Sequence, residues 1–321
     1  MSKHALEIET DFRDLGPAAW IKAMTDLGDE HGYFLHLGDQ HMVTFLDAGP
    51  KLLVTFEDAE KVRLEQKSGA PVGFQLVQED GWSHLSIMSA GPSWFREDEI
   101  YRHFDRLTDD GFFDDFDQIL FTGDDAAGYA AAAYSVAAPG ARLLLTRPQS
   151  TQDPRKVGFD RRFLAQRRVD FTSRYGYAPD MIEAAEKAYI AYDPMHRIDA
   201  MHAGLFHRGN VKMLRCFGFS QNVAGMIRSM GHEVAMLRNA MEGALNEPLF
   251  YEWMRGRRTQ SSYNRNIVKL AQKSGHPRLA ATLCANRLRD EGFDPYYAKQ
   301  LQELERAGFA PLGEVAKAAA E

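Results

Sequence analysis

The stretch Gln118-Ile-Leu-Phe-Thr-Gly-Asp-Asp-Ala-Ala-Gly-Tyr-Ala-Ala-Ala-Ala-Tyr134 decides how this 321-residue chain is read. Ile119 to Phe121 read as a buried strand, and Tyr129 to Val136 as a helix. Gly123 and Gly128 bracket the sharp turn between them, where a residue without Cβ permits close backbone approach. Ala126, Ala127 and Ala130 to Ala133 are small enough for the helix to lie close on a sheet. Asp125 occupies the tip of the turn, within Gly123-Asp-Asp-Ala-Ala127. Asp124 and Asp125 are also candidate caps for a helix opening at Ala126, because a carboxylate suits a helix N-terminus.

Working outward toward the N-terminus, Pro17 to Glu30 carries Trp20, Ile21, Met24 and Leu27 at helical spacing. Strands are expected at His41 to Leu46 and Lys51 to Phe56, joined through Asp47-Ala-Gly-Pro50 as an N-terminal hairpin. A further strand is expected at His84 to Met88, and a helical stretch at Trp94 to Leu107. Phe112, Phe113 and Phe116 read as core.

Beyond the turn come a strand at Arg142 to Thr146 and helical regions at Phe159 to Arg168 and Pro179 to Glu186. A strand at Ala188 to Tyr192, a helix at Asp199 to Phe206 and a strand at Val211 to Phe217 follow. This alternation predicts an α/β class with a mostly parallel, doubly wound sheet. From about Gln221 only helical patterns remain: Val223 to Leu245, Pro248 to Arg257, Tyr263 to Ser274, Pro277 to Glu291 and Pro295 to Ala307. The expected domains are therefore residues 1–220, an α/β unit, and 221–321, a C-terminal helical extension. The Ala-rich tail after Val315 is expected to fray.

Composition narrows the function classes. The formal charge of −7 and pI near 5.9 argue against a dedicated nucleic-acid binder, which needs a concentrated basic face. The start Met1-Ser-Lys-His-Ala-Leu-Glu7 has no apolar signal core, and no window approaches roughly 18 apolar residues. A cytoplasmic protein with no membrane span is expected. Cys216 and Cys284 lie outside any paired or metal spacing and read as buried thiols. No H-E-x-x-H motif occurs, and His196, His202 and His207 lack the spacing of one helix face, so no metal and no cofactor are expected.

Residues Phe116 to Val223 resemble the α/β-hydrolase superfamily, in which the turn carries G-x-S-x-G and presents a nucleophile above the sheet. Among bacterial proteins of that kind, the resemblance is carried by Gly128-Tyr-Ala-Ala131, Ala138-Pro-Gly-Ala141 and Gln149-Ser-Thr-Gln-Asp-Pro-Arg155. It implies that Asp125 stands at the nucleophile position and that the Ala126 amide is one oxyanion donor. It also implies that Asp193, in Tyr192-Asp-Pro194, stands where the acid lies. The turn Cys216-Phe-Gly-Phe-Ser-Gln221 then delivers Gln221, or Ser220, to the histidine position. The second oxyanion donor would come from Phe56-Glu-Asp58, which lacks a His-Gly-Gly pattern.

The chain is similar over nearly its full length to bacterial proteins sometimes labelled phosphoadenosine phosphosulfate reductase. That likeness includes Trp82-Ser-His-Leu85, Trp94-Phe-Arg96, Asp109-Asp-Gly-Phe-Phe113 and Arg174-Tyr-Gly-Tyr-Ala-Pro-Asp180. The label implies an S-G-G-K-D-S-like loop and a cysteine in E-C-G-x-H, and this sequence contains neither.

A hydrolytic triad needs a nucleophile, a base that takes its proton and an acid that orients the base. Glutamine cannot act as that base, so replacement at both Asp125 and Gln221 points to a protein that binds or interacts without serine-type catalysis. One alternative is a hydrolase of altered mechanism, with Asp125 attacking a halide, epoxide or ester and a histidine from another loop activating water. Another is a protein-interaction module whose C-terminal helices dock a partner. Small-molecule and protein ligands both fit the first reading. Asp153-Pro-Arg155, Asp160-Arg-Arg-Phe163 and the basic group Arg255-Gly-Arg-Arg258 with Tyr263 and Arg265 are secondary candidates for an anionic contact.

Overall fold

Leu52, Val54 and Phe56 alternate with Leu53 and Thr55 along one strand, and all five are buried, so both faces of that strand are covered. The computed structural model describes residues 6–312, with backbone only at 165 and 167. The N-terminal start and the Ala-rich tail lie outside the described residues. One eight-stranded sheet contains β1 Gly32–Leu37, β2 His41–Leu46, β3 Lys51–Asp58, β4 Ser83–Ser89, β5 Gln118–Asp124, β6 Arg142–Thr146, β7 Lys187–Tyr192 and β8 Val211–Arg215. Its order is β1-β2-β4-β3-β5-β6-β7-β8, with β2 antiparallel to both its neighbours and every other pair parallel. The fold is α/β, of α/β-hydrolase type.

An N-terminal hairpin is present, but not between the strands expected to form it. β2 turns back on β1, with His41 opposite Leu37, whereas β3 lies between β4 and β5. The apolar run of β3 suits a central strand covered on both faces. β1 carries no turn signal before it, because the chain passes directly from a helix ending at His31 into the strand at Gly32.

The early helices are α1 Pro17–His31, α2 Ala59–Glu65, α3 Val72–Asp80 and α4 Asp98–Asp109. The central ones are α5 Ala126–Tyr134, α6 Pro154–Val157, α7 Ala178–Met181 and α8 Arg197–Leu205. The expected helix over 159–168 is reduced to a 3-10 turn at Leu164–Arg168. The Asp160 carboxylate accepts the Arg162 amide at 2.9 Å, a local bond that competes with helical pairing.

Helices α4, α5 and α7 cover one face of the sheet, packing on Leu52, Val54, Phe56 and Phe121. Residues Gly128 to Tyr134 of α5 are all buried, the alanines close on the sheet and the Tyr129 and Tyr134 rings within the same core. The opposite face is covered by α9 Val223–Ser229, α10 Glu233–Met241 and α11 Glu247–Trp253, which meet Leu53, Leu120, Leu144 and Leu214. The last helices, α12 Ser261–Lys273, α13 Pro277–Glu291 and α14 Pro295–Arg306, share their own small core around Val268, Ala281, Cys284 and Leu301. Leu279, Phe293 and Leu312 are exposed in this last unit. Both cysteines are buried free thiols. Among the described residues no helix is long and apolar enough to cross a membrane.

Candidate functional site

The turn after β5 is a strained elbow. Asp125 has φ 57° and ψ −117°, a conformation that costs a non-glycine residue about 1–3 kcal/mol. Its neighbours hold it there. The Asp125 amide donates to the Thr146 carbonyl at 3.0 Å, and the Asp125 carbonyl accepts from the amides of Tyr129 at 3.0 Å and Gln149 at 3.3 Å. A Cβ at Gly123 would lie 2.4 Å from the Ala127 carbonyl oxygen. One at Gly128 would lie 3.1 Å from the Gly123 oxygen and from the Pro148 Cα. Both glycines are therefore demanded by backbone proximity.

The expectation that Asp124 and Asp125 cap the helix does not hold. The Asp125 side chain caps nothing, and its Oδ1 is buried without a hydrogen-bond partner. Burial raises its pKa; Arg147 opposes that rise and Asp124 adds to it. Asp124 instead pairs with Arg147, with Nη2 at 2.7 Å and Nε at 3.2 Å. At the tip, φ and ψ aim the Asp125 carboxylate away from the first-turn amides. The Ala126 amide opens α5 and so lacks an acceptor within the helix.

Asp193 follows β7 and is buried. Its carboxylate accepts from the amides of Met195 at 2.8 Å and Ser220 at 2.6 Å. The turn after β8 thus reaches Asp193 through backbone, with Gly218 at φ 82° and Ser220 at φ 56°. Gln221 lines the same cavity as Asp125.

None of the three candidate histidines lines that cavity. His202 is fully buried; its Nδ1 accepts from the Ser150 amide at 3.1 Å, so the proton is on Nε2, 3.0 Å from Asp160. The Nδ1 of His196 lies 2.9 Å from Asp199, and His207 is exposed. Behind the elbow runs a buried ionic chain. Arg147 approaches Asp199 at 3.7 Å, and Arg162 bonds Asp199 at 2.7 Å and Asp160 at 2.9 Å. The Asp160 and Arg162 candidates are partners of each other, and Arg155 is likewise paired with Asp153 at 2.8 Å. In the basic group, Arg257 bonds the Tyr263 hydroxyl and Arg265 pairs with Asp294.

The elbow opens into a cavity of about 530 Å³. From β3 the chain crosses to one side as β4 and returns to the other as β5, so the ends of β3 and β5 flank the reversal of strand order. Ligands of open α/β sheets bind in the crevice at such a point. The strand ends supply Thr55, Glu57, Thr122, Asp124 and Thr146, while α9 and α10 supply Ile227, Arg228, Glu233, Met236 and Leu237. Trp94 and Phe95 close another wall.

Sequence reasoning placed Glu57 only in a candidate oxyanion loop. In the structure it is the last residue but one of β3, accepting from the hydroxyls of Thr55 at 2.7 Å and Ser86 at 3.3 Å. Burial pushes its carboxyl up to about 7. The acids Glu57 and Asp58 closing a largely apolar strand were the signal available for it. Asp58 accepts the amides of Glu60 and Lys61, so two amides of that segment already face a carboxylate.

No family model matches the chain, and no curated protein does either. Solved structures with a similar fold include the capsule O-acetyltransferase of Neisseria meningitidis serogroup A, 10% identical over 66% of this chain and 99% of that one, at a TM-score of 0.42. An esterase of Pyrococcus furiosus is 12% identical, over 65% and 91%, at 0.41. Carboxyl esterase 2 of the fungus Tuber melanosporum is 13% identical, over 70% and 86%, at 0.41.

Proposed function

We propose that this chain is a binding protein of α/β-hydrolase type, which holds a small-molecule ligand at the elbow cavity and performs no serine-type acyl transfer. The observation that carries this reading is the wall of the cavity. It presents Asp125 at the strained tip and Gln221 at the facing turn, and among the described residues that line it there is no histidine. Asp193, in the acid-like position, is engaged with backbone amides. The acids Glu57 and Asp58 at the end of β3 also oppose a developing oxyanion. The purified full chain is expected to hydrolyse p-nitrophenyl acetate no faster in the parent than in Asp125→Ala. Small fragments are expected to shift the indole NMR resonance of Trp94, identified by its absence in Trp94→Phe. Ester turnover abolished by Asp125→Ala would overturn the reading.

A second reading has its own support, since the Asp125 carboxylate is not occupied by the amides of its helix. A carboxylate needs no base in order to attack, and the ester so formed would be opened by water. Glu57, with a carboxyl near neutrality, is the wall residue suited to accept the proton of that water. A substrate-derived mass on the peptide containing Asp125 would support covalent chemistry. Its absence after incubation with epoxide and haloalkane probes counts against it.

A further inference from the structure

We infer that the elbow cavity takes an organic cation, a primary amine or guanidinium on a short apolar body. This inference rests on the cavity being a ligand site and adds the class of ligand. The wall contains carboxyl groups from Glu57, Asp58, Glu65, Asp124, Asp125 and Glu233, against the bases Lys61, Arg147 and Arg228, twice as many acids as bases. The arginines are committed within the wall: Arg147 to Asp124 at 2.7 Å, and Arg228 to Glu233 at 3.0 Å with Glu65 at 3.9 Å. Asp58 caps α2. That leaves Glu57 and Asp125 with neither an ion pair nor a capping role among the described residues, Arg228 and Arg147 acting on them only at longer range. Glu57 receives only hydroxyl hydrogen bonds, and Asp125 has a buried oxygen with no donor at all.

A buried carboxylate oxygen without a partner is rare and costly, and Asp125 is held there on a strained backbone. A ligand N–H would supply the missing donor, and a cationic one would also offset the excess of acid. The N-terminus of α5 would by itself attract an anion, but the acids of this wall outnumber its bases.

The cation is organic, for two reasons. Among the described residues no group of three or more His, Cys, Asp or Glu is arranged to hold a metal ion. The remaining wall, with Val72, Trp94, Ile227, Met236 and Leu237, offers apolar surface to a carbon body. A volume of about 530 Å³ suits a small metabolite.

The test is calorimetric titration of the full chain at neutral pH with hexylamine, 1-hexanol and hexanoate, which share one chain length and differ in charge. Hexylamine is expected to bind roughly tenfold or more tightly than hexanol, and hexanoate most weakly, the scale of a charge-assisted hydrogen bond. Asp125→Asn keeps the shape of the tip and is expected to bring hexylamine to the level of hexanol. Glu57→Gln serves as the second variant, with a smaller loss, should Asp125→Asn fail to fold. Equal affinity for amine and alcohol, or an amine preference that survives both substitutions, overturns the cation inference and leaves the cavity as a ligand site. If none of the three probes binds or moves the Trp94 resonance, the ligand-site reading fails with it.

Discussion

At Asp125 three facts coincide: a positive φ, a buried unpartnered oxygen and a place on a cavity wall. The strain is a property of the backbone and so can be separated from the carboxylate. Asp125→Ala and Asp125→Gly both remove the acid, but only glycine occupies φ 57° without steric penalty. Asp125→Gly is expected to be more stable than Asp125→Ala by roughly 1–2 kcal/mol in urea unfolding, the strain less the extra chain entropy of glycine. Equal stability would mean that the tip is not strained. The position of Asp125 was legible from Gly123 and Gly128 alone. Its failure to cap α5 was not, because capping depends on φ and ψ at a single residue, which neighbouring strands impose.

At the scale of elements, close approach decides what can sit where. Helix α3 lies on β4 so tightly that a Cβ at Gly73 would come within 2.4 Å of the His84 ring. That ring is fully buried and contacts the Thr55 hydroxyl at 3.0 Å, and burial lowers its pKa to about 3, so it is neutral. Gly73→Ala is therefore expected to destabilise the fold by about 1–3 kcal/mol, as overpacking a core does. Denaturant midpoints within error of the parent would show that α3 can slide off β4. The amphipathic α1 and the apolar runs of β5, β6 and β7 were readable because their periodicity is local. The partner of β2 was not, because a short turn between two strands is equally compatible with a hairpin and with a crossing to another place in the sheet.

At the scale of the molecule, the helices after residue 220 divide by what they cover. Val223, Ile227, Met236, Leu237 and Phe250 belong to the core on one face of the sheet, whereas α12 to α14 share a separate small core. A chain ending at Gln260 is expected to unfold cooperatively, with a circular-dichroism melt of the same form as the parent. A chain ending at Gln221 would bare Leu53, Leu120 and Leu144 and is expected to be recovered only as aggregate. A soluble, cooperatively melting 1–221 fragment would show that α9 to α11 are dispensable. The cavity belongs to this scale as well, since its walls come from β3, β5, α2, α9 and α10 and from the loop holding Trp94.

The alternation of strands with helices, the elbow with its small-residue helix and the absence of a serine at the tip are all present in the linear order of residues. They follow from local periodicity and from the steric demands of glycine, which need no knowledge of distant neighbours. Tertiary structure decided the rest. It set Asp193 on the Ser220 amide, drew Asp160, Arg162 and His202 into one hydrogen-bonded network, and turned Glu57 into a cavity wall with a carboxyl near neutrality. Burial and partner choice arise only when segments far apart in sequence are brought together, and they determine the charge that a ligand meets.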